Sequence, residues 1–438
     1  MKKKSMHSWG KYPRIENRLL AYEDRKQCAE LLQQSNALIA CGNGRSYGDS
    51  ALSETIVDIK PHDYFIAFDE KTGILHVQAG VLLADILEHF VPRGWFLNVV
   101  PGTKLITVGG AIASDVHGKN HHLDGCFSQH VQAITLMTAA NEIKTCSKNK
   151  LKTLFQATCG GQGLTGILLD AKIKLKKIVS STIRQTTIKT ANLLDTFAAF
   201  KKLENHRYSV AWIDCLASGE KLGRGIVQAG DFEAQPAYGK LRYAQKSKRN
   251  IAINWPRFVL NPWTVRAFNA LYYWWPKTGE SQQRVSIDSF FFPLDALENW
   301  NNIYGKKGFV QYQFILPLEN SLAGMTEILE KISQSKEASF LAVLKLYGPA
   351  NSNYLSFPME GYSLALDFKV NDKVFALLDE LDALLVKHSG RIYLAKDARV
   401  SKEVFQQGYP EIEIFRAFRK KHGMDKTFHS AQSKRLDL

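Results

Sequence analysis

Paired cysteines are missing from this sequence. The chain has six cysteines in 438 residues, and no two of them form a C-x-x-C pair. They are scattered as Cys28, Cys41, Cys126, Cys146, Cys159 and Cys215. This spacing excludes a zinc-finger framework and a small disulfide scaffold, and it indicates a reducing compartment.

Long apolar runs are also missing. No stretch reaches the roughly 18 apolar residues that a membrane-spanning helix needs. The basic start MKKKSMHSWGKYPR is not followed by an apolar segment, so we expect no secretory signal. We therefore expect a cytoplasmic protein, either free or bound to a membrane surface. The length predicts two domains, or one domain with a large insertion, and 45% hydrophobic residues suffice for sizeable packed cores.

Acidic residues are outnumbered. There are 57 Lys and Arg against 42 Asp and Glu, a net charge of +15. Such an excess favours an anionic partner, which could be nucleic acid, an anionic membrane surface, or phosphorylated substrates and cofactors.

Basic and aromatic residues are concentrated in one segment. The run KLRYAQKSKRN contains no acid, and its cations are Lys240, Arg242, Lys246, Lys248 and Arg249. It is followed by the aromatic residues Trp255, Trp263, Tyr272, Tyr273, Trp274 and Trp275. This composition is typical of an interfacial membrane segment. The alternative is a core helix preceded by a solvated basic loop, and the net charge favours the membrane.

Hydrophobic periodicity divides the chain near residue 178. Before it, strands and helices alternate: ALIAC, GILHVQ and GILLDAKIKLKKI are predicted strands, VLLADILEHF is a helix, and HVQAITLMTAANEIKT is a hairpin turning at Ala140-Asn141. After it come longer aromatic-rich strands: YSVAWIDCL, SIDSFFFPL, GFVQYQFILPL, SFLAVLKLYG and YSLALDFKV. The helices SLAGMTEILEKISQS and KVFALLDELDALLVKHSG separate them. This pattern predicts an α+β second part with an antiparallel sheet.

Glycine-rich loops are the most informative feature. In GNGRSYGD, which follows the strand ALIAC, glycines let the backbone N–H groups turn outward and bind phosphate oxygens. PGTKLITVGGAIASDVHG offers a second such loop. The formal G-x-G-x-x-G at 161–166 follows a predicted helix and precedes a predicted strand, the reverse of a dinucleotide fingerprint. Together the loops predict enclosure of a large dinucleotide outside a Rossmann fold.

A histidine cluster follows the second loop. His117, Lys119, His121 and His122 fall within six positions. The spacing of His117 and His121 suits zinc only in a helix, and Gly118 argues against one. We predict no metal site and a pocket lined by the histidines, with the alternative that one of them is a structural histidine.

The motifs GNGRSYGDSA, PGTKLITVGGAIASDVHGKNHH, GGQGLTGIL, FVQYQF, SFLAVLKLYG and IYLAKDAR occur in this order. They resemble those of the flavin oxidoreductases of the vanillyl-alcohol oxidase superfamily. Within it, they are similar to the oxidase-subunit family of the decaprenylphosphoryl-β-D-ribose 2'-epimerases. The resemblance runs from about residue 9 to the C terminus and is weakest between 180 and 285. It implies a two-domain α+β fold, with an FAD-binding domain (PCMH-type) of residues 1–178 completed by 391–438, and a substrate-binding domain of residues 179–390.

The resemblance also implies a set of site residues. The implied FAD contacts are Gly42, Asn43, Gly44, Arg45, Ser46, Tyr47, Gly102, Thr107, Gly109, Gly110, Ser114, Asp115, Val116, His117, Leu168 and Tyr393. The implied catalytic residues are His117, Lys119 and Lys396. The implied substrate contacts are Phe291, Gln311, Gln313, Lys345 and Ala365. Lys396 is favoured for the flavin side, since a lysine there stabilises negative charge on the reduced ring.

Three departures from the family pattern qualify this expectation. Arg45 stands where some relatives carry the histidine that tethers FAD, so we expect non-covalent FAD. Ala365 and Phe291 stand where near relatives carry cysteine and tyrosine, which reshapes the substrate pocket.

The implied activity is FAD-dependent oxidation of a secondary hydroxyl on a lipid-linked sugar. The expected substrate is polyprenyl-phosphoryl ribose, oxidised at C2 to a ketone for cell-envelope synthesis. A separate NAD(P)H-dependent keto-reductase completes the epimerisation, and the enzyme lies at the cytoplasmic face of the inner membrane. Two alternatives stay open: a soluble sugar, alditol or aldonolactone oxidase, and a non-catalytic basic protein that binds membranes or nucleic acid. The chain contains no recognised nucleic-acid module, so nucleic acid is not the expected partner.

Overall fold

A computed structural model describes residues 4–35, 37–235, 241–245, 247–256, 259–337, 339 and 341–438. Within these residues the strands form three sheets and a two-stranded ribbon. Lys240 and Lys246, two cations of the predicted interfacial segment, lie outside the described residues. None of the described helices is both long and apolar enough to cross a membrane.

The first sheet is built from the N-terminal residues. Its strands are β1 (Lys4–His7), β2 (Arg14–Leu20), β3 (Ile39–Cys41) and β4 (Thr55–Asp58). The order is β1-β2-β4-β3, antiparallel between β1 and β2 and parallel elsewhere. Helix α1 (Arg25–Gln34) joins β2 to β3 and begins where the Asp24 side chain accepts from the backbone N–H of Gln27. Strand β3 leads into the GNGRSYGD loop, as the sequence predicts.

The second sheet follows directly. Its strands are β5 (Phe65–Asp69), β6 (Ile74–Gln78), β7 (Trp95–Leu97), β8 (Val131–Met137), β9 (Ile143–Cys146) and β10 (Ile167–Lys177). Their order is β5-β6-β10-β8-β9, with β7 also paired to β10. The associated helices are α2 (Leu83–Phe90), α3 (Val108–Ala113), α4 (His121–Asp124) and α5 (Lys152–Thr158). The hairpin between β8 and β9 is confirmed, as is the helix-then-strand order around Gly161–Gly166 that excludes a dinucleotide fingerprint.

The third sheet is antiparallel and has eight strands in the described residues, in the order β15-β11-β13-β12-β18-β19-β17-β20. Strands of this part of the chain are β11 (Thr182–Thr190), β12 (Tyr208–Ile213), β13 (Gly225–Phe232), β14 (Arg249–Asn250), β15 (Glu280–Ser286), β16 (Leu297–Glu298), β17 (Phe309–Pro317), β18 (Ala342–Tyr347), β19 (Gly361–Lys369) and β20 (Arg391–Ile392). Strands β14 and β16 form the separate parallel ribbon. The predicted antiparallel sheet after residue 178 is confirmed.

Helices and short 3-10 turns complete the fold. The helices are α6 (Leu193–Lys202), α7 (Pro262–Trp274), α8 (Ile287–Phe291), α9 (Leu318–Ser335), α10 (Asp372–Lys387), α11 (Lys402–Gly408), α12 (Ile412–Lys421), α13 (Met424–Thr427) and α14 (Ala431–Leu436). The 3-10 turns are Val91–Arg93, Phe127–His130, Gly219–Lys221, Pro293–Ala296 and Trp300–Tyr304.

One strand prediction is wrong. SIDSFFFPL is not extended but forms helix α8 and the 3-10 turn after it. The Ser286 side chain accepts from the backbone N–H of Ser289 and starts a helical turn there. Three successive rings, Phe290, Phe291 and Phe292, are all buried. The aromatic content therefore reflects burial on every side and not strand alternation.

The third sheet has two unlike faces. On β17, the Tyr312 hydroxyl donates to the Asp382 carboxylate of α10 over 3.1 Å, so this side chain points toward the helices. The adjacent residues Gln311 and Gln313 must point the opposite way, because side chains alternate along a strand. We call the side that carries Gln311 and Gln313 the cavity face. The helix side holds part of an extensive apolar core, including Phe314, Leu364 and Leu366.

The C-terminal helices return to the N-terminal part of the chain. The Leu38 N–H donates to the Thr427 carbonyl over 2.9 Å, and the Ala431 N–H donates to the Leu52 carbonyl over 2.7 Å. Arg435 lies 2.9 Å from an Asp49 carboxylate oxygen. These contacts anchor the chain end on both sides of the GNGRSYGD loop.

Candidate functional site

A cavity of about 860 Å³ lies between the glycine loops and the cavity face of the third sheet. This volume is at the upper end of the range for ligand pockets. His121 and His122, which the sequence analysis places in a pocket, do not line it. Every residue that the resemblance implies for the site lines it, with the exception of Asp115. These are Gly42, Asn43, Gly44, Arg45, Ser46, Tyr47, Gly102, Thr107, Gly109, Gly110, Ser114, Val116, His117, Lys119, Leu168, Phe291, Gln311, Gln313, Lys345, Ala365, Tyr393 and Lys396.

The two glycine loops form one wall by packing against each other. A Cβ atom added at Gly42 would lie 2.3 Å from the Thr107 hydroxyl oxygen, so only glycine allows this approach. The Asn43 side-chain amide donates to the Leu105 carbonyl over 2.8 Å. The Thr107 hydroxyl in turn accepts from the Gly110 N–H over 3.0 Å. These contacts fix the loops while their backbone faces the cavity.

Gly102 shows that this wall fits a ligand. A Cβ atom at this position would meet no protein atom within 4 Å, and the backbone is not left-handed. Neither packing nor backbone strain therefore requires glycine here. Bare main chain facing open space is what close contact with a bulky, polar cofactor requires.

The opposite wall is the cavity face. Gln311 and Gln313 on β17 lie directly opposite Asp367 and Ala365 on β19. Lys345 on β18 lies opposite Ser363 on β19. Polar groups thus come from three adjacent strands, where the hydrogen-bond ladder holds their positions.

Three half-buried lysines give the cavity its charge. Burial lowers the pKa of Lys119 to about 7 and that of Lys345 to about 8. Burial also lowers the pKa of Lys396, whose Nζ lies 3.5 Å from the centre of the Tyr47 ring. Lys119 Nζ contacts the Phe290 carbonyl oxygen. Amines with such pKa values exchange protons near neutral pH, which suits acid–base chemistry and the binding of an anion.

The histidines have separate environments. His117 packs against Tyr393, with ring centres 4.8 Å apart, and its pKa lies well below the usual value, chiefly because of burial. His121 Nδ1 accepts from the Gly348 N–H over 3.1 Å, and its Nε2 lies 3.4 Å from Cys126 Sγ. Among the residues that the structure describes, no three His, Cys, Asp or Glu side chains are grouped as a metal site requires.

Asp115 is the exception among the residues that the resemblance implies. It does not line the cavity, and its carboxylate is occupied elsewhere. One oxygen accepts from the Ser128 N–H over 3.0 Å, and the other accepts from Asn351, Asn353 and Ser356 over 2.7–2.9 Å. The Asp115 carboxylate is therefore held by donors of the protein and does not face the cavity. Asp115 instead ties its own loop to residues 351–356.

Several cavity residues were not found from the sequence. These are Trp9, Gln162, Trp212, Gln228 and Asp295. Trp9 stacks under the Arg45 guanidinium, with 4.1 Å from its central carbon to the ring centre. Strand alternation in YSVAWIDCL could have indicated Trp212. Nothing near Trp9 in the sequence points to a pocket.

A buried ion pair attaches the second glycine loop to helix α8. Lys104 Nζ lies 2.7 Å from one Asp288 oxygen and donates to the Tyr243 hydroxyl over 2.9 Å. The Lys104 N–H donates to Asp295 over 2.9 Å. Through these contacts, the loop that carries Gly102 is held beside Phe291.

An exposed aromatic surface adjoins the cavity. We define it as Trp263, Phe268, Leu271, Tyr272, Trp274 and Trp275 on and after helix α7. The three tryptophans are 78%, 73% and 80% exposed, whereas Phe268 and Tyr272 also line the cavity. Only Val265 and Asn269 of this helix are buried. The alternative of a core helix is therefore wrong, and the cavity is continuous with exposed aromatic side chains.

Comparisons with known proteins agree with this architecture. A family model described as an FAD binding domain matches residues 19–147. Decaprenylphosphoryl-β-D-ribose oxidase of Mycolicibacterium smegmatis is 34% identical over 413 residues, which cover 92% of this chain and 89% of that protein. An uncharacterised protein of Streptomyces coelicolor is 29% identical over 370 residues, 82% of this chain and 100% of that protein. L-gulonolactone oxidase of Scyliorhinus torazame is 23% identical over 427 residues, 91% and 89% of the two chains.

Proposed function

Since this chain belongs to the family of FAD-dependent oxidases that includes decaprenylphosphoryl-β-D-ribose oxidase, we propose that its substrate is a polyprenyl-phosphoryl-β-D-ribose, oxidised at C2 to the 2-keto sugar. The protein is an oxidoreductase that acts on CH–OH groups, with FAD as its cofactor. The observation that carries the substrate proposal is 34% identity extending over 92% of the chain, which includes the cavity face as well as the glycine loops.

FAD is held without a covalent bond in this proposal. The loops at 42–47 and 102–110 bind its phosphate and ribityl groups through backbone N–H groups, and Ser114, Val116, Leu168 and Tyr393 complete its site. Residues 1–178 with 391–438 form the FAD-binding domain, and residues 179–390 form the substrate domain. Bare backbone at Gly102 and the return of the C-terminal helices to Leu38 and Leu52 support this division.

FAD, when bound, accepts a hydride from the carbon that carries the hydroxyl. The chain's own residues do the rest. Lys396, above the Tyr47 ring, stabilises negative charge on the flavin side. Lys345 binds the substrate phosphodiester, and Gln311 and Gln313 orient the sugar by hydrogen bonds.

The hydroxyl proton must leave as the carbonyl forms. A basic group with a pKa near the operating pH is best suited to accept it. Lys119 has a pKa of about 7, so a large share of this amine is neutral at pH 7. His117 lies on the same wall and is neutral there, because burial lowers its pKa. Either can serve as the base.

We place the reaction at the cytoplasmic face of the inner membrane. The aromatic surface would enter the headgroup region, and Lys248 and Arg249 would face anionic lipid. Because Phe268 and Tyr272 also line the cavity, a prenyl chain could pass from the bilayer to the site without crossing water. A separate NAD(P)H-dependent keto-reductase would then convert the ketone to the arabinose epimer.

Anaerobic mixing tests the proposal. The purified protein is combined with a polyprenyl-phosphoryl ribose, and the flavin absorbance is followed in the absence of oxygen. We expect bleaching by the ribose compound within seconds and none by free pentoses or alditols. Bleaching by free polyols alone would contradict the lipid-linked substrate.

A second candidate is oxidation of a free sugar lactone. The 23% identity to L-gulonolactone oxidase over 91% of the chain favours it. The same experiment distinguishes the two candidates. The flavin of a lactone oxidase would be reduced by aldonolactones, and no lipid would be needed.

Gly102→Ala tests the cofactor wall. The added methyl group meets no protein atom within 4 Å, so we expect the thermal midpoint of the FAD-free protein to change by less than about 1 °C. The methyl group would enter the space assigned to FAD, and we expect the Kd for FAD to rise at least about tenfold. Gly219→Ala, at an exposed turn that does not line the cavity, is the control for FAD binding alone, because the φ of +59° at Gly219 makes alanine strained there and lowers its thermal midpoint. An unchanged Kd would remove Gly102 from the FAD site.

A further inference from the structure

Asp367 lies at the edge of the cavity wall and is not one of the residues to which the proposed reaction assigns a role. It is 0% exposed on strand β19, two residues beyond the cavity-lining Ala365, and therefore on the same face. One carboxylate oxygen accepts from Gln311 Nε2 over 2.5 Å. The other accepts from the Tyr304 hydroxyl over 3.4 Å. Among the described residues, this carboxylate accepts from two donors, and both hydrogen bonds favour its ionised form.

The contact with Gln311 fixes an amide of the site. Gln311 lies directly opposite Asp367 in the register of β17 and β19, and it lines the cavity. Because Nε2 is bound to Asp367, the amide cannot flip without placing its carbonyl oxygen against the carboxylate. The orientation in which Gln311 meets a ligand is thus set by Asp367.

We propose that Asp367 is a positioning residue of the oxidase site, which holds the Gln311 amide and supplies the negative charge that keeps Lys396 protonated. This role rests on the FAD-dependent oxidation proposed above, but not on the identity of the sugar. It acts through two other side chains, so Asp367 itself touches neither cofactor nor substrate.

The charges around the two groups determine the sign of the effect. The charge of Asp367 raises the pKa of Lys396, and the charge of Lys345 lowers it. The charge of Lys396 in turn helps to lower the pKa of His117. Burial raises the pKa of Asp367 to about 7, while the hydrogen bond from Gln311 and the charge of Lys396 each act to lower it. If Asp367 becomes neutral, only burial and the repulsion from Lys345 act on Lys396. Both lower its pKa, so its ammonium form is lost at a lower pH than in the wild type.

The test compares Asp367→Asn with the wild-type holoprotein. The rate at which Lys396 is labelled by an amine-specific acylating reagent is measured from pH 5 to pH 10 by mass spectrometry, since only the neutral amine reacts. We expect the midpoint of Lys396 labelling to fall by about one pH unit or more in the variant. We also expect the high-pH limb of kcat to move the same way. Asp367→Glu, which keeps the charge, should restore both midpoints to near the wild-type values.

Asp382→Asn is the matched control. Asp382 is also buried and accepts from a tyrosine hydroxyl, but it lies toward helix α10 on the other side of the sheet. We expect this variant to leave the Lys396 midpoint unchanged.

If Asp367→Asn does not fold, Asp367→Ser removes the same charge with a smaller side chain. An unshifted Lys396 midpoint in a folded, FAD-loaded neutral variant would overturn the proposal. Labelling needs no turnover, so it stays informative even if polyprenyl-phosphoryl ribose is not the substrate.

Discussion

Lys396→Met is expected to lower the rate of anaerobic flavin reduction by about 10²–10³-fold, while FAD remains bound. Methionine keeps the length of the side chain but removes its charge and its donors. The lysine lines the cavity over the Tyr47 ring and is half-buried, so its positive charge acts more strongly on charge that develops nearby than it would in bulk water. The measurement is stopped-flow absorbance under single-turnover conditions.

Lys176→Met is the control for this variant. Lys176 is also a half-buried lysine, with a pKa lowered by burial to about 8, and its amine contacts the Tyr208 hydroxyl. It is not among the residues that line the cavity. We expect its replacement to change flavin reduction by less than about threefold, in line with a site that does not touch the reaction. Equal rates in the Lys396 variant and the wild type would remove Lys396 from the catalytic set.

Replacing Trp263, Trp274 and Trp275 together by serine is expected to weaken binding to anionic vesicles by about 10²-fold or more. Each indole is mostly exposed in the protein alone, so each can transfer apolar area from water to the interface. Even partial burial of three such rings accounts for a loss of this size. Co-sedimentation with vesicles of phosphatidylglycerol and phosphatidylcholine at fixed ionic strength gives the partition coefficient.

The control removes exposed apolar side chains elsewhere. Leu318 and Leu322 are exposed on helix α9, which packs on the helix side of the third sheet. We expect serine at both positions to leave vesicle binding and activity unchanged. The triple tryptophan variant should still be reduced by a short-chain, water-soluble analogue at the wild-type rate. Vesicle binding that survives the triple replacement would refute membrane docking through this surface.

Local features of the site could be read from the sequence, because they depend on neighbours along the chain. A strand followed by three glycines in seven residues is sufficient to place the 42–48 loop, and its partner at 101–118 follows the same logic. Strand alternation in FVQYQF correctly assigns Gln311 and Gln313 to one face. These are short-range patterns that tertiary packing reinforces.

The roles of the aspartates could not be read in this way. Asp115 lies inside a glycine-rich motif but is occupied by side chains from 351–356, more than 200 residues away. Asp367 lies in an ordinary strand, yet it holds an amide of the cavity wall. Which donors surround a carboxylate is decided by the fold, so the sequence alone cannot assign a role to either side chain.

Helix α8 shows the limit of periodicity. Its FFF run suits a strand or a buried helical turn equally well, and the Ser286 cap decides in favour of the turn. For helix α7, the sequence allowed both a core helix and an interfacial one. Only side-chain exposure, which depends on what packs against the helix, separates these two possibilities.

The two unlike faces of the third sheet bear on how such enzymes diversify. Along β17 and β19, alternate positions belong either to the apolar core or to the pocket, so the two rows can evolve independently. Ala365 belongs to the pocket row and lies between the core residues Leu364 and Leu366. A lineage can thus acquire a new sugar preference by point substitutions while inheriting its scaffold intact.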